Sequence, residues 1–171
     1  MRKMIDKRVL GVTAIFILAF SLVIMPVMAQ AGPITIKLGH ADPEDVYTSK
    51  KGAAARVFKD IVEAESSGAI QVKLFAAGQL GGERELIEST KLGTIQMCLV
   101  SGPVAGYFKP AMVFDIPYLF SSAPVAWKVL DGPFGQKLSA ALLKKTGFWK
   151  FAYGGNGVRK FTHSNSPLKT P

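Results

Sequence analysis

The sequence predicts an α/β fold built on a mainly parallel sheet, and three observations carry that reading. Apolar residues alternate with polar ones at 34–38 and 70–74, and a nearly continuous apolar run occupies 95–100. Segments with helical spacing lie between these runs. Glycine-bearing turns separate one kind of segment from the other. Strand, helix, strand, helix, strand in that order joins parallel strands by right-handed crossovers.

Taken in order, Ile34, Ile36 and Leu38 form the first strand, with Thr35 and Lys37 on its other face, and Gly39-His40-Ala41 opens a loop. From about Tyr47, Ala54, Val57, Phe58, Ile61 and Val62 recur at helical spacing with Lys51, Arg56, Lys59, Asp60 and Glu63 between them, and Ser67-Gly68 stops the helix. Ile70, Val72 and Leu74 make the second strand. The stretch GQLGGERELIESTKLGTIQM (78–97) follows as a turn and a helix. Glu83, Glu85 and Glu88 in its first turns offset the positive end of the helix dipole, and Gly93 ends it. The apolar run at 95–100 reads as a strand covered on both faces. Prolines 110, 117 and 124 break the aromatic segment beyond it. Two helical pieces flank Asp131-Gly132-Pro133, with Trp127, Leu130, Phe134, Leu138 and Leu142 as expected buried residues. Trp149, Phe151 and Tyr153 alternate as an expected fourth strand.

The first residues have the layout of a secretory signal peptide: Arg2, Lys3, Lys7 and Arg8, an apolar run at 9–25, then Val27-Met28-Ala29 at the expected cleavage site. The alternative is an uncleaved anchor, since the run approaches the about 20 residues that span a bilayer; Pro26 and the small residue at the site favour cleavage after Ala29. Loss of 1–29 removes four basic residues and one acidic one, lowering the formal charge from +9 by 3 to +6. The remaining basic residues are scattered, with no stripe of Arg and Lys among aromatics, so nucleic acid is not an expected partner. A small anionic ligand suits the positive excess. Cys98 is the only cysteine, which excludes an internal disulfide and a multi-cysteine metal site.

The candidate chemistry narrows by elimination. GQLGGERE lacks the lysine of a phosphate-binding P-loop and the spacing of a dinucleotide fingerprint. Leu99-Val100-Ser101-Gly102-Pro103 lacks the first glycine of a nucleophile elbow. His40 and His163, the only histidines, have no metal-ligand spacing. What remains is positional, because open α/β sheets bind ligands at the carboxyl ends of their strands. His40 follows the first strand, 79–84 the second, Ser101 the third and 156–159 the fourth. Arg84 and Arg159 at that edge favour an anion, a surface salt bridge being the alternative for Arg84.

With these positions in place, the chain resembles the extracytoplasmic solute-binding proteins of tripartite ATP-independent periplasmic (TRAP) transporters, the dicarboxylate-binding receptor family. The resemblance runs through ITIKLGHA, SSGAIQVKLF, GQLGGERELIESTKLGTIQM, VFDIPYLFSSAPVAWKVLDGPFGQKL and YGGNGVRKFTHSNSPLKTP, in order. It implies a type II periplasmic binding protein fold of two lobes, non-enzymatic and without cofactor, closing on a small organic acid. The acid is then delivered to the small and large membrane subunits of a TRAP permease. The ligand-contacting residues it implies are His40, Glu83, Arg84, Ser101, Asn156 and Arg159. Expected organisation is a signal peptide at 1–29, an N-terminal α/β lobe at 30–155 and the start of the crossing to a second lobe at 156–171, whose remainder is expected beyond the chain given. Two further readings stand beside transport: a sensory receptor feeding a membrane kinase, and a secreted α/β hydrolase using Ser101 and His163.

Overall fold

β1 (Ile34–His40) is the middle strand of a three-stranded parallel sheet in the computed structural model, which describes residues 32–155. It is flanked by β2 (Ile70–Phe75) and β3 (Met97–Leu99). Leu38 aligns with Leu74 on one side and Met97 on the other, and His40 with Leu99. The helices between them are α1 (Lys50–Glu65) and α2 (Glu83–Lys91). All three strands therefore end at one edge, and α1 and α2 both begin there.

Adjacent strand residues point to opposite faces, and the sheet uses both. Leu38 and Val72 bury against Ala55 of α1, with Phe58, Val62, Ile36 and Leu74 packed around them. The neighbour Gly39 faces α2 so closely that a β-carbon there would lie 2.6 Å from the Leu86 Cδ2. Leu86 and Ile87 are wholly buried on that side; each such side chain contributes about 1.5–3 kcal/mol when removed from water.

Ser49 caps α1 by accepting the Gly52 N–H at 2.9 Å. Gly93, at φ 77°, turns the chain left-handed just after α2. The outer edge of β2 is closed by side chains of α1. Val72 donates its N–H to Glu63 at 2.8 Å and accepts from Lys59 at 2.9 Å, and Lys59 and Glu63 pair with each other. An edge strand so occupied is a poor template for another chain.

Several sequence expectations change. Val57 and Ile61 share the helical spacing of α1 but are more than half exposed, so the stripe that packs is Ala55, Phe58 and Val62. β3 is only three residues long, and these are half-buried rather than covered on both faces. The broken aromatic segment forms two 3-10 turns at Gly102–Gly106 and Lys109–Asp115. The helices α3 (Ala123–Leu130) and α4 (Pro133–Thr146) lie where expected, with Gly135 against the Leu130 carbonyl. Trp127 and Phe134, however, stay largely exposed, because the two helices pack mainly on each other. Trp149, Phe151 and Tyr153 form no strand. Alternation sets which side a residue faces but supplies no backbone partner, and here two of the rings find aromatic partners while Trp149 stays exposed. Phe151 meets Phe58 edge-on at 5.9 Å, and Tyr153 meets Phe114 at 5.7 Å.

Candidate functional site

The carboxyl edge of the sheet gathers residues from three loops around one carboxylate. Glu83 opens α2, and its Oε2 accepts the backbone N–H of Ser101 at 2.8 Å. The Ser101 hydroxyl lies 3.0 Å from Oε1 and 2.9 Å from Oε2. Lys51, in the first turn of α1, bonds Oε1 as well and reaches Asp42 Oδ1 at 3.0 Å. The chain of contacts Asp42, Lys51, Glu83, Ser101 thus ties the loops after β1 and β3 to the starts of both helices. Two backbone bonds add the loop after β2: Ala77 donates to the Asp42 carbonyl at 2.8 Å and Gly78 to that of His40 at 3.2 Å.

Charge and burial set the protonation of this group. Burial raises the Glu83 carboxyl, but the Lys51 ammonium and the Ser101 N–H and hydroxyl outweigh it and hold the group below its ordinary 4.5. Burial works in the same sense against charged Lys51, and its bonds to Glu83 and Asp42 outweigh that and raise it above 10.5. Both are ionised at neutral pH. A basic side chain at a helix N-terminus opposes the dipole, and α1 has no acid in its first turn to offset it. Asp42 and Glu83, brought in from other loops, supply that compensation.

His40 ends β1 with no exposed surface, and neither ring nitrogen has a hydrogen-bond partner among the described residues. Burial pushes its pKa below 6.5, against the opposing pull of the Asp42 backbone and charge, so the ring is neutral at neutral pH. Arg84 is exposed on α2 and makes no ion pair among the described residues. Burial raises the half-buried Cys98 thiol, which keeps it protonated and unreactive.

Of the sequence-derived site residues, Glu83 and Ser101 therefore meet directly, and His40 lies at the same edge beneath the surface. Arg84 follows Glu83 on α2 and makes no ion pair among the described residues. Asn156, Arg159 and His163 lie outside the described residues, as do the expected signal peptide and the crossing at 156–171. The residues that sequence reasoning missed are Asp42 and Lys51. Lys51 falls among the polar positions of the helical pattern; two adjacent lysines at 50–51, opening a helix with no acid in its first turn, are the signal available.

Comparison with known proteins follows the same stretch. The profile of the bacterial extracellular solute-binding proteins, family 7, matches residues 42–171. The C4-dicarboxylate-binding periplasmic protein of Rhodobacter capsulatus is 33% identical over 172 aligned positions, covering 98% of this chain and 49% of that protein. The 2,3-diketo-L-gulonate-binding periplasmic protein of Escherichia coli is 35% identical over 129 residues, covering 75% of this chain and 39% of that protein. The crystal structure of the sugar acid binding protein of Advenella mimigardefordensis, in complex with galactonate, superimposes with a TM-score of 0.62 at 37% identity. That match covers 67% of this chain and 36% of that one. The chain thus spans between about a third and a half of the length of these relatives.

Proposed function

Because the chain belongs to the bacterial extracellular solute-binding proteins of family 7, we propose that its sheet edge is one wall of a cleft that captures a carboxylate-bearing organic acid outside the cytoplasm. The acid is passed to the small and large membrane subunits of a TRAP-type permease. The observation that carries this reading is the network joining Asp42, Lys51, Glu83 and Ser101 at the carboxyl ends of three parallel strands, the position at which open α/β sheets hold ligands.

In this reading the lobe binds without changing its ligand. Ser101 directs its hydroxyl to a carboxylate that takes no proton at neutral pH, so it is a fixed polar contact. Arg84 and Arg159 supply guanidinium groups for the carboxylate. Closure of a second lobe over this wall shifts an open-to-closed equilibrium that the permease reads. The segment 1–29 directs export and is removed after Ala29.

Saturation-transfer NMR on the purified full chain tests the binding claim, using a panel of organic acids and the neutral amides of the same skeletons. Signal from acids but not from amides is expected; equal signal from both, or none from any acid, overturns the reading. The mass of the protein recovered from the periplasm of an expressing bacterium tests export, since retention of residues 1–29 excludes cleavage.

A further inference from the structure

We propose that this edge selects hydroxylated acids, such as sugar acids, over plain dicarboxylates, because the exposed polar atoms that Ser101 and Asp42 leave unused beside Glu83 are hydrogen-bond acceptors. This rests on the acid-binding reading above and narrows its ligand class.

Donors and acceptors at this edge are unequally used. An ionised carboxylate only accepts, so every hydrogen between Ser101 and Glu83 comes from Ser101. The serine spends its backbone N–H on Oε2, and its single hydroxyl hydrogen is shared between Oε1 and Oε2. What the exposed Ser101 side chain still offers a ligand is its oxygen lone pairs. Asp42 engages Lys51 through Oδ1, and its Oδ2 has no partner among the described residues, on a side chain 35% exposed. Lys51 commits two of its three hydrogens to these carboxylates and is 18% exposed. The start of α2, which would otherwise attract an anion, already carries Glu83 and Glu85 in its first turn.

A ligand carboxylate set against Ser101 and Asp42 therefore meets lone pairs and a negative charge. A ligand hydroxyl set there donates its hydrogen to either oxygen. Arg84, one residue along α2 and exposed, is the cation available for the acid group. A ligand that carries hydroxyls next to its carboxylate satisfies both halves of this surface. A dicarboxylate lacking them leaves the acceptors without donors, and the unpaired groups lower its affinity.

Competition NMR on the full chain with galactonate, succinate and galactitol distinguishes the outcomes. Galactonate is expected to bind at least about tenfold more tightly than succinate, the equivalent of one hydrogen bond to a charged or polar acceptor. Galactitol, with hydroxyls and no carboxylate, is expected to compete weakly. Succinate binding as well as galactonate overturns the hydroxyl selection while leaving the acid-binding reading intact. Failure of both acids to bind overturns that reading and this one together. Ser101→Ala is expected to weaken galactonate about tenfold and leave succinate within about twofold. Should Ser101→Ala disturb folding, Asp42→Asn, which gives the free oxygen position a donor, is the second variant, expected to narrow the preference; an unchanged ratio in a folded Asp42→Asn protein overturns the role given to that acceptor.

Discussion

The carboxylate of Glu83 accepts both the backbone N–H and the hydroxyl of Ser101, eighteen residues away, and so joins the start of α2 to the loop after β3. With Lys51 on its other flank, this one side chain sets the relative position of three loops at the carboxyl edge of the sheet. Geometry of that kind favours binding by reducing the ordering that a ligand must impose.

Glu83→Ala is expected to destabilise the chain by about 1–3 kcal/mol, since it removes one of the two carboxylates that Lys51 pairs with and the acceptor of two Ser101 donors. Ser101→Ala removes only the hydroxyl and costs less. Urea denaturation of both single variants and the double variant measures the coupling between them. A value near about 1 kcal/mol is expected, and additive effects would mean that the contact does not constrain the fold.

The pH dependence follows from the same group. The Glu83 pKa is lowered in the folded chain, so its contribution is fully present above the unfolded value of 4.5 and is lost as pH falls through the folded value. For Lys51 the pKa is raised, so its contribution is fully present below 10.5 and is lost as pH rises through the folded value. Thermal melts are expected to show Glu83→Gln flattening the acid limb and Lys51→Met flattening the alkaline limb.

His40 combines complete burial with two ring nitrogens that have no hydrogen-bond partner among the described residues. Its depressed pKa means that stability is full above 6.5 and declines as pH falls toward the folded value, where the buried ring must charge. His40→Leu, close in size and free of polar atoms, is expected to hold or raise the melting temperature at pH 7 and to reduce its decline between pH 6.5 and 5. A large loss at pH 7 would mean that the ring nitrogens are engaged.

Lys59 and Glu63 occupy the exposed side of β2 at Val72. Replacing both with alanine is expected to leave the secondary structure unchanged by circular dichroism and to increase self-association in light scattering, because the edge is then open to another strand.

Gly135→Ala would place a β-carbon 1.6 Å from the Leu130 carbonyl oxygen, a backbone atom that cannot turn aside. Opening of the α3–α4 hairpin is expected, with a cost of about 3 kcal/mol or more, read as faster amide exchange in both helices.

The order and direction of β1, α1, β2 and α2 were legible because two periodicities alternate and turn residues mark each change. Topology alone then brought His40, Glu83 and Ser101 to one edge. Contacts between loops were less legible: nothing local to Glu83 names Ser101 as its partner, or Asp42 as the companion of Lys51. Exposure was the other gap. Val57, Ile61, Trp127 and Phe134 fit the apolar period of their helices, yet period records which residues share a face and not whether another element covers it. The same limit explains 149–153, where alternation was present and a backbone neighbour among the described residues was not.

The central claim is that the edge built by Asp42, Lys51, Glu83 and Ser101 is a ligand wall, and amide chemical shifts test it most directly. In a titration of the isotope-labelled full chain with galactonate, the amides of Asp42, Glu83, Arg84 and Ser101 are expected to shift together along one saturable curve, and Ser101→Ala to weaken that curve. Shifts confined to residues away from this edge, or a curve unchanged in Ser101→Ala, would contradict the account.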